Sequence, residues 1–237
     1  MLIAIEGGDG CGKSTQVRLL GERLEAEGLP SKTVSFPRYD DPVFGDLIRR
    51  FLNGDLGEID LVDARLVALL FAGDRAAAAP ELRRALCEDR VVVCDRYFYS
   101  NLTYQAAKLP AAEVAEFARW LRKLEFGHYA VPVPDCSLYL DVHKAERRQR
   151  VLARASSQGE PEGAVLDDIH ERDGGLQGRV EDLFRSYSQA HDDLIRIDCQ
   201  QSREPLDPQA VHELIWQALN ARGLLNASAA SASALPN

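Results

Sequence analysis

The chain has 237 residues, 37 of them acidic and 28 Lys or Arg, for a formal net charge of −9. That length is enough for one domain with a full core. The acidic balance argues against a nucleic acid polymer as partner, because a surface that tracks phosphates leaves a basic imprint. Apolar runs stay short of the roughly 20 residues that span a bilayer, and no basic stretch leads into an apolar signal segment, so a cytoplasmic protein without membrane contact is expected. Five cysteines (Cys11, Cys87, Cys94, Cys136, Cys199) form no Cys-x-x-Cys pair and read as reduced, mostly buried thiols.

The first element is an apolar strand at 2–6, followed by Gly7-Gly8-Asp9-Gly10-Cys11-Gly12-Lys13-Ser14 and an amphipathic helix at 14–27 that places Val17, Leu20 and Leu24 on one face. Strand, glycine loop and helix in that order make a phosphate-binding P-loop. The glycines let consecutive backbone N–H groups turn toward phosphate oxygens at the positive end of the helix. Gly7 through Thr15 would hold the triphosphate of ATP, with Lys13 reaching the β- and γ-phosphates and the Ser14 hydroxyl on Mg²⁺.

A second strand is expected at 32–36, ending in Phe36-Pro37-Arg38-Tyr39, where an aromatic ring beside a proline offers a rigid face for a base. Helices follow at 44–52 and about 60–88. The second carries Leu70-Phe71-Ala72-Gly73-Asp74-Arg75, with Arg75 one turn beyond Phe71 on the same face. The apolar strand 90–95 ends in Asp95 and is followed by Arg96. A carboxylate at that point is what a P-loop site uses to hold Mg²⁺ or its water shell.

Further helices are expected at 112–125, 143–155, 166–192 and 207–222, and further strands at 136–141 and 194–198. The alternation makes an α/β sheet with helices on both faces and ligands beyond the carboxyl ends of the strands. Two glycines and a proline in 156–165 mark a flexible connection, read as part of a lid at about 154–166. A single domain is expected over 1–222, and the Ala- and Ser-rich segment 223–237 reads as a disordered tail.

Taken together, Ile5 to Ser14, Phe36-Pro37-Arg38-Tyr39, Leu70 to Arg75, and Asp95-Arg96-Tyr97-Phe98-Tyr99-Ser100-Asn101-Leu102-Thr103-Tyr104-Gln105 resemble the thymidylate kinases, P-loop enzymes that phosphorylate dTMP to dTDP with ATP. The last segment is the most specific, since a generic P-loop protein has no need of it. The resemblance covers most of residues 1–200. It implies a three-layer fold with a five-stranded parallel sheet in the order 2-3-1-4-5, a lid after the fourth strand, and a homodimer packed through helices.

The resemblance also implies roles. Phe36 would stack on thymine, Arg75 would hydrogen-bond the base, Asn101 would face the pyrimidine edge, and Arg96 would grip the dTMP phosphate. Tyr104 would lie near the 2′ position of the sugar and crowd a ribose hydroxyl. Pro37, Arg38, Tyr39, Leu52, Phe71, Ser100 and Gln105 would complete the dTMP pocket, with Asp168 and Glu171 closing over the sugar. Asp9 would contact dTMP and the metal shell. Some family members carry arginine after this acid; here the residue is Gly10, so the catalytic positive charge is expected from Arg150 or Arg154 at the lid, beside Lys13, Asp95 and Arg96. The rest of the basic run at 147–154 reads as a solvated helix face. A kinase of free nucleosides and a nucleotide-dependent switch are the rival readings. Arginines placed for an acceptor phosphate oppose the first, and the lack of an Asn-Lys-x-Asp signature opposes the second.

Overall fold

In a computed structural model of the chain, the described residues are 1–57, 62–147, 149–150, 174–201 and 204–225. The five apolar runs form strands β1 (Leu2–Glu6), β2 (Ser31–Ser35), β3 (Val91–Asp95), β4 (Cys136–Asp141) and β5 (Leu194–Asp198). All pairings in this sheet are parallel, and the order is β2-β3-β1-β4-β5. β1 is central and wholly buried, as expected for a strand with helices on both faces.

Alternation along β1 divides the core. Leu2 and Ala4 join the cluster that holds Val92, Cys94 and Tyr139, together with Leu82, Leu102, Phe117 and Phe184 from helices. Ile3 and Ile5 point the other way, to Leu20, Leu24, Ile215 and Leu219. The first group comes from α3 (Ala64–Cys87), α4 (Phe98–Ala106), α5 (Ala111–Arg122) and α6 (Gly174–Ala190), and the second from α1 (Lys13–Ala26) and α7 (Pro208–Ala221). The short helix α2 (Phe44–Leu52) packs against α3.

Register places the functional loops side by side. Ile5 pairs with Asp95, and Ser35 pairs with Asp95 from the other edge of β3. The ladder runs one step further: Arg96 N–H donates to Ile5 O and Phe36 N–H to Asp95 O, both at 2.9 Å. The residues after β1, β2 and β3 therefore emerge together.

Helix α4 is an element that hydrophobic periodicity does not reveal. All nine of its residues are buried, so it has no solvated face to alternate with an apolar one. A π-helical turn, Lys123–His128, extends α5, and Gln200–Gln201 pairs with Glu204–Pro205 in a small hairpin, neither of which periodicity indicates. Packing also runs past the expected domain limit, since Leu225 lies in the core cluster. The lid at 154–166, with Arg154, and the acidic pair Asp168 and Glu171 lie outside the described residues, as does the segment beyond 225.

Candidate active site

The loop after β1 has the backbone its glycines allow. Gly7, Gly10 and Gly12 have φ of 143°, 75° and 92°, a region L side chains avoid. A methyl group at Gly7 would also stand 2.9 Å from Cys11 Sγ and 3.0 Å from Leu140 O. Helix α1 begins with no side-chain cap and no acidic residue in its first turn, so its positive end and free N–H groups face the loop. Lys13 is buried and folds back, donating from Nζ to Gly8 O at 2.8 Å. Ser14 is exposed and Thr15 half-buried in that first turn, and Asp95 stands half-buried at the end of β3.

Beside this loop lies an open cleft. Of the residues expected to bind dTMP, Asp9, Phe36, Pro37, Tyr39, Leu52, Phe71, Arg75, Arg96, Ser100, Asn101, Tyr104 and Gln105 all line it. Arg38 does not. Its guanidinium turns away to Asp74, with Nε to Oδ1 at 2.9 Å, and to Asp41 at 3.1 Å. With its N–H on Asp74 Oδ2 at 2.9 Å, Arg38 ties the strand-end loop to α3 instead.

Phe36 is buried and part of the core as well as the cleft wall, and its ring meets Tyr97 edge-on at 5.7 Å. Tyr97 also lines the cleft, a place its position in the motif does not reveal. Its hydroxyl donates to Pro132 O at 2.9 Å, which fixes the ring behind Phe36.

Arg75 and Asn101 meet on one carboxylate. Arg75 donates to Glu125 through Nε at 2.7 Å and Nη2 at 2.6 Å, and Asn101 Nδ2 donates to the same side chain at 3.0 Å. Burial works against the Arg75 charge, but Glu125 outweighs it and raises the pKa. Among the described residues, Asn101 Oδ1 and Gln105 Oε1 are buried without a hydrogen-bond partner. Two acceptors left open in a cleft wall suit a ligand that brings a donor, as the N3–H of a thymine ring does.

Arg96 has φ of 64°, an uncommon conformation for a residue with a side chain, of the kind that clusters at functional sites. Its guanidinium donates to Gly7 O at 3.1 Å and Ser100 Oγ at 3.3 Å, and it pairs with the Asp9 carboxylate. Burial opposes the charge there too and is the largest single influence, but Asp9, Tyr104, Asp95 and Cys11 together outweigh it and keep Arg96 protonated. The other Asp9 oxygen accepts from the Tyr104 hydroxyl at 2.8 Å.

Helix α4 is set by Glu6, whose carboxylate is fully buried and accepts from Tyr99 N–H at 3.0 Å, Ser100 N–H at 3.1 Å and Ser100 Oγ at 2.5 Å. It caps the helix from the end of β1. Burial raises its pKa despite the Ser100 bonds. Neither Glu6 nor Glu125 advertises this role in sequence, since each acts on residues at least 24 positions away.

Two arginines approach the loop from the helical residues after β4. Arg150 donates to Glu146 at 2.9 Å, and its Nη1 stands 3.9 Å from where a Cβ on Gly12 would be. Arg147, expected on a solvated face, is instead 5% exposed and donates to Asp9 O at 3.2 Å.

Among the described residues, no group of three or more His, Cys, Asp or Glu could hold a metal. This donor set still fits Mg²⁺ bound with a nucleotide, which takes one or two protein oxygens and the substrate's phosphates rather than a protein cage. Ser14 and Asp95 offer such oxygens.

A family model described as thymidylate kinase matches residues 5–205. The chain is 38% identical to the thymidylate kinase of Mycobacterium tuberculosis strain H37Rv over 181 residues, 76% of this chain and 82% of that one. It is 39% identical over 216 residues to a probable thymidylate kinase of Thermococcus kodakarensis, covering 89% and 95%. A solved thymidylate kinase structure from Candida albicans superposes with a TM-score of 0.74 at 23% identity, covering 94% of this chain and 92% of that chain, which shows the shared fold. With the P-loop, the sheet order and the acceptor cleft in place, the chain belongs to the thymidylate kinase family, whose reaction is the ATP-dependent phosphorylation of dTMP to dTDP.

Proposed function

We propose that this chain performs its family's reaction with ATP bound on the glycine loop and dTMP in the adjoining cleft. An oxygen of the dTMP phosphate attacks the γ-phosphorus, the bond to the β-phosphate oxygen breaks, and ADP leaves. The observation that carries the reading is that one short segment serves both sides. Lys13 folds onto Gly8 O, while Arg96 reaches Gly7 O and the Asp9 carboxylate from the cleft. Such a segment would bring donor and acceptor phosphates together, and positioning with charge neutralisation supplies most of the catalysis in such transfers.

In this reading Lys13 and Arg96 hold the phosphates, with Arg150 or Arg154 supplying the third positive charge. Ser14 and Asp95 would hold Mg²⁺, which when bound would supply charge neutralisation for the transferred phosphoryl group. Both oxygens of Asp9 already have partners, so Asp9 would belong to the metal's outer shell rather than hold it directly. Phe36, Arg75, Asn101 and Gln105 read the base, Tyr104 reads the sugar, and Asp168 and Glu171 close over it. The homodimer and the cytoplasmic location belong to the same proposal. No helix among the described residues is long and apolar enough to cross a membrane.

Coupled ADP release with a panel of nucleoside monophosphates tests the function. The highest kcat/KM is expected for dTMP, and turnover of AMP or GMP without dTMP overturns the assignment.

A further inference from the structure

The Arg147 guanidinium lies directly over the backbone of the glycine loop. Its Nη1 donates to Asp9 O at 3.2 Å and to Gln177 Oε1 at 3.4 Å, and its Nη2 pairs with Glu181. Arg147 and Glu181 are both largely buried, with side chains 6% and 13% exposed. Arg147 thus joins the chain after β4, helix α6 and the loop after β1.

Gly8 matches this arrangement. It lacks the positive φ of its neighbours Gly7 and Gly10, so its backbone suits other residues. A methyl group there would instead overlap Arg147, lying 2.7 Å from Cζ and closer to Nη1, with every other atom at 3.4 Å or beyond. Gly8 is needed for the space it leaves to Arg147, a different reason from the one that applies to Gly7, Gly10 and Gly12.

We propose that Arg147 is a positioning residue for phosphoryl transfer: clamped by Glu181, it fixes the Asp9–Gly10 peptide through the Asp9 carbonyl, and Gly8 exists to admit it. The inference rests on the acceptor reading above, because Asp9 is the residue whose carboxylate orients Arg96 and Tyr104. A loop that can shift at Asp9–Gly10 carries those two groups with it. Displacements of about an ångström in an aligned site cost up to roughly 100-fold in rate. The bound Arg147 is neutralised by Glu181 and already committed to Asp9 O, so it acts through the loop and not on the phosphates. Lysine replaces it poorly, since an ammonium lacks the planar fork that spans a carbonyl and a carboxylate at once.

The experiment is a double-mutant cycle on Gly8→Ala and Arg147→Ala, with kcat and both KM values and a urea midpoint for each protein. Gly8→Ala and Arg147→Ala are each expected to lower kcat/KM for dTMP by about tenfold or more, with the KM for ATP changed less than about threefold. The double variant is expected to be no worse than Arg147→Ala, because the clash is gone. Arg147→Lys should recover part of the loss. Arg147→Ala/Glu181→Gln, which leaves no buried carboxylate unpaired, provides the same kinetic test if the single variant folds poorly. Additive losses overturn the proposal, as does an Arg147→Ala enzyme within twofold of wild type in kcat/KM for dTMP. Coupling seen in the urea midpoints but not in the kinetics reduces Arg147 to a structural residue and also overturns it. If the wild-type enzyme fails to turn over dTMP, the acceptor reading falls by itself, and the midpoints still report whether Gly8 and Arg147 are coupled.

Discussion

Arg75 on α3 and Glu125 in the π-helical turn meet fork to fork in the interior, with N to O distances of 2.7 and 2.6 Å and side chains 3% and 0% exposed. The same carboxylate accepts from Asn101 on α4. One residue outside the cleft lining therefore sets the angle of two that are proposed to read the base. A buried charge pair adds little stability relative to an apolar pair, but losing one partner is costly, because the other is left charged in a low-dielectric interior.

Glu125→Ala is expected to destabilise the protein by about 3–5 kcal/mol in urea unfolding, as for other broken buried ion pairs. Replacing both partners by leucine should restore much of that stability while leaving dTMP turnover low, since the base contacts are gone. Equal stability of the single and double variants would argue against a buried-charge origin.

Tyr104 separates shape from hydrogen bonding. Its ring lines the cleft and its hydroxyl donates to Asp9 at 2.8 Å. Tyr104→Phe keeps the ring, so the preference for dTMP over the ribose analogue should survive while kcat/KM falls a few-fold, by about the value of one hydrogen bond. Tyr104→Ala should narrow the preference by about tenfold or more. The ratio of the two kcat/KM values is the measurement, and an unchanged ratio in the alanine variant removes Tyr104 from sugar selection.

Arg150 lies near Gly12, close to where a γ-phosphate would sit on a P-loop. Arg150→Ala is expected to lower kcat by about 10²-fold, the usual effect of removing one charge stabiliser, with little change in KM for dTMP. The same measurement on Arg154→Ala decides between the two. If only the second variant loses kcat, Arg154 is the catalytic arginine.

His212 on α7 gives the stability a pH dependence. Burial, with the Arg23 charge adding to it and Glu213 opposing it, lowers its pKa below the ordinary 6.5. The unfolded chain therefore takes up this proton first. Stability is full above pH 6.5 and declines as the pH falls toward the folded pKa. Urea midpoints at pH 7.5 and 5.5 should differ less in His212→Gln than in the wild type. An equal difference in both assigns the acid sensitivity elsewhere.

Whatever depends on neighbouring residues is legible in the chain alone. The glycine loop is legible because φ beyond the reach of side chains requires glycine at Gly7, Gly10 and Gly12. The five strands are legible because each is a short apolar run between breaks, and their carboxyl ends place Phe36 and Arg96 beside the loop. Whatever depends on partners far apart in the chain emerges with the packing. Helix α4 is buried on every side and shows no period. Arg38, which the motif grouped with the dTMP contacts, is drawn off by Asp74, 36 residues away. Glu125 meets Arg75 across 50 residues, and Arg147, in a run that reads as solvated, reaches Asp9 across 138. A charged side chain has the same local signature whether it faces water or closes a buried network. Burial decides which, and burial is set by the packing of the whole sheet and its helices.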